Sequence, residues 1–300
     1  MKPWQSNLAA IPFGLYEKAL PQELSWEKRL VQAREAGFDF MEMSVDDTDA
    51  RLERLDWGQR ERDEVRKAVA NTAIPVRSLS LSAHRRYPLG NKSAKTRKTA
   101  MDVFYKAIDL ALDLNLRYIL LSGAENYYEE QDEESQALFL EGLGKGFERA
   151  SSAGLMLALE NWDHQIDSLT KVMRYVNYFN SPWFQAYADI GNLTYAQQDT
   201  FSELEAARGH IAALHVKDTL PGQLRYVTPG EGEVPFVEAF VKLAEMGFQA
   251  PVVLELWTES FPDALERVKA GFNFIKEIMA EGWRVAAEGR TLKDEKIQNE

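Results

Sequence analysis

The chain has 300 residues, 45% hydrophobic and 27% charged, with Trp, Tyr and Phe spread along it, a composition that fits a folded globular protein and excludes a disordered one. Lys and Arg number 35 against 47 Asp and Glu, and the resulting charge of −12 argues against a nucleic-acid partner, although a few local cations would still hold a small anion. There is no cysteine, so disulfide scaffolds, thiolate zinc sites, cysteine nucleophiles and iron–sulfur clusters are excluded, and a reducing compartment is suited.

Residues 1–10 carry one Lys and no run apolar enough for a signal peptide, and nowhere do about 18 apolar residues follow one another. A cytoplasmic protein that is not membrane-bound is expected. From there on, short β-like runs alternate with helical patterns: Ile11 to Tyr16, Phe38 to Ser44, Val76 to Ala83, Arg117 to Ser122, Leu155 to Glu160, Phe184 to Asp189, Ile211 to Lys217 and Pro251 to Trp257. Between them, stripes such as Trp26, Leu30, Val31, Ala33 and Ala36, or Val103, Ala107, Ile108, Ala111 and Leu112, have the spacing of helices packed on a sheet. Gly37, Gly154 and Gly247 each stand just past such a stripe, where a left-handed stop is needed. Eight units of this kind predict a single α/β domain, a closed (β/α)8 barrel over residues 1–282, followed by a polar extension over 283–300. The rival is an open doubly wound sheet, but Gly14-Leu15-Tyr16-Glu17 stands where a dinucleotide-binding fingerprint would follow the first strand.

In a barrel, residues at the carboxyl ends of the strands converge on one mouth. Four polar residues end apolar runs in the second half of the chain: Glu160, Asp189, His215 and Glu255. Three carboxylates and an imidazole brought together repel one another unless a cation sits among them. This oxygen-rich set suits Mn²⁺, Mg²⁺ or Co²⁺ and also accepts Zn²⁺. The alternative is four separate rim residues, each paired to a nearby Lys or Arg.

These residues also carry a family resemblance. Gly14 to Pro21, Leu81 to Arg86, Leu159-Glu160-Asn161, Asp189 to Asn192, His215 to Asp218 and Pro229 to Gly232 resemble the xylose-isomerase-like TIM barrel family of sugar phosphate isomerases and epimerases. Within it the resemblance is to L-xylulose 5-phosphate 3-epimerases, also labelled hexulose-6-phosphate isomerases, and it runs from about Ile11 to Met279. It implies that Glu160, Asp189, His215 and Glu255 hold one divalent metal ion. It also implies inversion at C3 of a 2-ketose phosphate, with L-xylulose 5-phosphate and L-ribulose 5-phosphate as the favoured pair. Such chemistry needs a Lewis acid on the C2 and C3 oxygens and two acid/base groups, since a single base returning the proton from one side retains configuration. Glu160 and Glu255 are the expected catalytic pair.

For substrate and phosphate, the expected contacts are Lys18, Glu42, His84, Arg85, Arg86, Asn192, Lys217, Arg225, Gly230 and Gly232, all at strand ends or in the loops that follow. Glu42 has a salt bridge to a rim Arg as its alternative, and Arg85-Arg86 a solvated pair. Barrels that epimerise free ketoses tend to have a His where Asn192 stands, which favours a phosphorylated sugar. Competing functions are an aldose–ketose isomerase, an epimerase of a free ketose, a retaining glycosidase using Glu160 and Glu255, and a non-catalytic sugar-phosphate-binding protein. With four histidines in all, a His-rich multi-zinc endonuclease site fits poorly. His164 reads as a polar loop residue and His210 as a capping or core residue. Trp183, Phe184 and Trp257 are expected to line the site, with a homodimer contact as the alternative.

Overall fold

Strands buried on both faces need apolar runs and helices to cover them, and this chain supplies eight such runs, each followed by at least one helical segment. In the computed structural model, which describes residues 2–127, 129, 131–162 and 165–289, the runs form β1 (Phe13–Tyr16), β2 (Phe40–Val45), β3 (Val76–Leu81), β4 (Tyr118–Ser122), β5 (Met156–Glu160), β6 (Phe184–Asp189), β7 (Ile211–Val216) and β8 (Val252–Leu254). They are parallel and ordered as in the chain, and β1 pairs with β8, Phe13 opposite Val252 and Leu15 opposite Leu254. That pairing closes the barrel and excludes the open sheet. The last strand is shorter than its apolar run, yet the Glu255 N–H still donates to the Val216 carbonyl at 2.9 Å, so Glu255 stays against β7.

The helices are α1 (Pro3–Ala9), α2 (Trp26–Ala36), α3 (Asp49–Leu52), α4 (Gln59–Thr72), α5 (Ala94–Asp113), α6 (Glu133–Ser152), α7 (Leu169–Phe179), α8 (Ile190–Tyr195), α9 (Thr200–Ala206), α10 (Phe236–Glu245) and α11 (Ala264–Ala287). Ser25, Ser93, Asp132, Ser168 and Asp199 cap helix N-termini by accepting a backbone N–H. Gly37, Gly154 and Gly247 take φ of 101°, 73° and 70°, the left-handed stops their positions predict. Helix α11 crosses the Gly282 boundary and buries Trp283 and Val285. The remainder of the expected extension, residues 290–300, lies outside the described residues, as does His164.

Most of the apolar core lies between strands and helices. Inside the barrel, alternate side chains make a different gradient. Beneath the mouth two apolar clusters fill the barrel: Tyr118, Leu120, Ala158, Tyr187 and Ala213 form one, and Phe40 and Val253 form another with Tyr16, which ends β1. A Cβ on Gly14 would come within 2.3 Å of the Phe40 ring, so glycine there makes room for the aromatic plug. Two residues on from Ala158, Tyr187, Ala213 and Val253, the same inward alternation delivers Glu160, Asp189, His215 and Glu255. Phe184 and Trp183 do not follow the expectation of site lining. Phe184 opens β6 and packs against Phe179 and Phe147, ring centroids 4.5 and 6.0 Å apart. Trp183 precedes the strand, beside Gly154, and therefore lies at the end opposite the mouth.

Candidate active site

Glu160, Asp189, His215 and Glu255 come from or directly follow β5, β6, β7 and β8, and one donor atom from each lies within 4.8 Å of all the others. All four are buried. His215 turns Nδ1 toward the carboxylates, 3.0 Å from Glu160 Oε1, 3.6 Å from Glu255 Oε2 and 4.0 Å from Asp189 Oδ2. Asp189 divides its oxygens: Oδ1 accepts the Asn192 N–H at 2.9 Å and caps α8, while Oδ2 faces the cluster. Asn161, which sequence reasoning left without a role, brackets the Asp189 peptide. Its Oδ1 accepts the Asp189 N–H and its Nδ2 donates to the Asp189 carbonyl, both at 2.9 Å.

Burial pushes the Glu160 carboxyl up to about 7 against the pull of His215, and Asp189 and Glu255 add to the rise. Burial also raises Asp189 despite the Lys217 ammonium. Glu255 is held below the ordinary glutamate value, because Lys217 and His215 outweigh its burial. His215 resists the desolvation of its charged form through Glu42, Glu255 and Glu160, and its pKa lies well above the ordinary histidine value. Lys217, expected at the phosphate, is instead buried, with Nζ 2.5 Å from Asp189 Oδ2 and 2.8 Å from Glu255 Oε2. The cluster thus holds the Lys217 ammonium and the His215 ring, and its three carboxylate oxygens and one imidazole nitrogen form a donor set that fits a divalent cation.

Above the cluster opens a cleft of about 1410 Å³ lined by Lys18, Arg85, Trp162, Arg225 and Trp257. A smaller void with the same five side chains on its wall reaches down to Glu160 and Glu255. Trp257 thus meets the expectation of lining the mouth. Lys18 pairs with Asp46, and Arg85 with Asp47 at 3.2 Å. The Arg225 guanidinium lies 5.0 Å from the Trp257 ring and 5.8 Å from that of Trp162, and its buried Nε has no partner among the described residues.

Several other expected contacts stand elsewhere. His84 is buried against α5, with Nε2 3.2 Å from the Ala100 carbonyl and its ring edge-on to Phe104. Arg86 points outward to Asp49 at 2.6 Å. The N–H groups of Gly230 and Gly232 donate to Asp218 Oδ2 at 2.8 and 2.9 Å, so an internal carboxylate already fills the nest expected to take phosphate. Asn192 is buried, its Nδ2 donating to the Asn161 carbonyl at 2.9 Å. Glu42 has no exposed surface; it meets neither the cleft nor a rim Arg but His215, at 2.7 Å. For His84, Gly230, Gly232, Asn192 and Glu42 a partner inside the fold, invisible in the linear sequence, takes the polar group away from the mouth, and Arg86 is drawn to an exposed surface pair.

A closed eight-stranded barrel with a carboxylate and histidine cluster at the carboxyl ends of β5 to β8 defines a family, and residues 30–278 match the model of the Xylose isomerase-like TIM barrel. The chain belongs to that family. It is 43% identical, over 92% of its length and 98% of the relative's, to the L-ribulose-5-phosphate 3-epimerase UlaE of Salmonella heidelberg strain SL476, and equally to that of Escherichia coli O1:K1 / APEC. Among solved structures it resembles an L-ribulose 3-epimerase, with a TM-score of 0.75 and 17% identity over 94% of this chain and 99% of that one. A D-psicose 3-epimerase from Clostridium cellulolyticum H10 superposes with a TM-score of 0.76 at 15% identity, covering 90% of this chain and 99% of that one. Among the described residues no helix is long and apolar enough to cross a membrane.

Proposed function

We propose that this chain is a metal-dependent 3-epimerase of a 2-ketose phosphate, interconverting L-ribulose 5-phosphate and L-xylulose 5-phosphate through a cis-enediolate, with residues 1–282 as one catalytic domain. The observation that carries the reading is the convergence of Glu160, Asp189, His215 and Glu255 in a chain so close to the L-ribulose-5-phosphate 3-epimerases. These four residues would hold one divalent cation, Mn²⁺, Co²⁺, Mg²⁺ or Zn²⁺. When bound, the cation supplies Lewis-acid polarisation of the substrate's C2 and C3 oxygens.

The protein's own part is proton transfer and binding. Glu160 and Glu255 flank the other two ligands, three strands apart around the ring, an arrangement suited to one carboxylate on each side of C3. One removes the C3 proton, the other then delivers a proton to C3 from the opposite side, and the reverse reaction exchanges the roles. Lys18, Arg85 and Arg225 line the cleft and form the phosphate end, while Trp162 and Trp257 limit water around the sugar. The test is epimer formation from L-ribulose 5-phosphate by protein loaded with Mn²⁺ or Co²⁺, beside a chelator-stripped sample. Formation of L-xylulose 5-phosphate only by the loaded protein is the expected result. An aldose product would replace the epimerase by an isomerase, and equal turnover after stripping would remove the metal.

A further inference from the structure

Glu42 ends up in a place that neither substrate binding nor a rim salt bridge explains. It lies on β2 inside the barrel with no exposed surface, beneath the metal-ligand cluster. Its Oε2 accepts two hydroxyl hydrogen bonds, from Ser78 Oγ on β3 at 2.6 Å and from Tyr187 OH on β6 at 3.0 Å. With Oε2 occupied, Oε1 turns to His215 Nε2 on β7 at 2.7 Å. Four strands therefore fix one carboxylate, and that carboxylate engages the ring nitrogen of His215 that faces away from Glu160, Asp189 and Glu255. The imidazole is also wedged between aromatic rings, 4.6 Å from Tyr187 and 5.9 Å from Tyr16.

The geometry points to Glu42 as a positioning residue for the metal site: it takes the Nε2–H of His215, leaves the Nδ1 lone pair to the cation, and fixes the ring plane in which that lone pair is aimed. A histidine ligand needs one nitrogen free of a proton, and a carboxylate on the other nitrogen selects that tautomer and makes the ring a stronger donor. Ser78 and Tyr187 hold Glu42 in turn. The inference rests on the metal-dependent reading of the cluster, and it adds that affinity for the cation is set partly by a residue that touches neither cation nor substrate. A purely structural role predicts something different: loss of fold stability, with unchanged affinity in the molecules that remain folded.

The experiment titrates Co²⁺ into the metal-stripped full chain, reading heat and the visible absorption of bound Co²⁺, for the native protein, Glu42→Gln and Tyr187→Phe. Folded fraction is measured alongside by near-UV circular dichroism. Glu42→Gln should weaken Co²⁺ binding by about 10- to 100-fold per folded molecule. Tyr187→Phe, which leaves the core apolar and removes only one bond to Oε2, should weaken it less but measurably, and it carries the test if Glu42→Gln fails to fold. With Co²⁺ saturating, KM should stay within about 2-fold of native, since Glu42 does not reach the cleft; a larger rise would return Glu42 to the substrate and overturn the inference. Unchanged affinity in the folded variants overturns it as well. Failure of the native protein to bind Co²⁺ overturns instead the metal-dependent reading, and the inference falls with it.

Discussion

Replacing His84 by Gln tests whether that residue is part of the core or of the substrate site. Burial lowers the His84 pKa from 6.5 to about 4, with the Ala100 carbonyl pulling weakly the other way. The folded chain therefore keeps His84 neutral over a pH range in which the unfolded chain binds a proton. Stability from this group is complete above about pH 6.5 and is lost as pH falls toward about 4. At pH 4.5, about two pH units below the unfolded value at about 1.4 kcal/mol each, the native protein should have lost about 2.5 kcal/mol through His84 alone. Urea unfolding at pH 7.0 and 4.5, both in EDTA so that metal does not enter the comparison, measures the gap. In His84→Gln, whose amide still reaches the Ala100 carbonyl, the gap should shrink by about that amount, while KM for a ketose phosphate stays near native. An equal gap in both proteins would refute the buried neutral histidine. A large rise in KM confined to phosphorylated sugars would restore His84 to the phosphate site.

Glu160→Gln and Glu255→Gln should each lower kcat by at least about 10²-fold, because each removes a general acid/base together with a ligand charge; turnover within 10-fold of native in either variant would contradict the paired-base account. Arg85→Ala should raise KM for a ketose phosphate by about 10-fold or more, the worth of a charge-assisted hydrogen bond, and leave the free ketose nearly unaffected. Equal losses on the two sugars would remove Arg85 from the phosphate end. Gly14→Ala should cost about 1–3 kcal/mol in urea unfolding, since the added methyl meets the Phe40 ring inside a packed barrel; an unchanged midpoint would mean that the ring moves aside freely.

The fold was legible because the signals that specify it are local. Apolar runs, helical stripes and the three glycine stops all lie within one unit of the repeat, and each predicted run overlaps an observed strand. The cluster was legible for a related reason: inward alternation means that a polar residue ending a strand points where its neighbours on adjacent strands point. Depth along the barrel axis was not legible. Glu42 and Glu255 read alike as carboxylates after apolar residues, but Glu42 sits low enough to meet His215 from beneath. The internal partners of His84, Gly230 and Gly232 were equally hidden, since Ala100 and Asp218 reach them only through the tertiary fold. Trp183 was avoidable. It precedes β6, and the mouth is built from residues that follow strands. Lys217 carried a usable signal as well, two residues beyond His215 and so on the same inward face.

Proton transfer at C3 by this carboxylate and histidine cluster is tested most directly by NMR of L-xylulose 5-phosphate incubated with Mn²⁺- or Co²⁺-loaded protein in D₂O, then freed of metal, beside a chelator-stripped control. Deuterium at C3 together with the appearance of L-ribulose 5-phosphate is expected, and neither in the stripped sample. Deuterium at C1 with none at C3 would contradict it in favour of aldose–ketose isomerisation, and no exchange at either carbon would leave a protein that binds the sugar phosphate without turning it over.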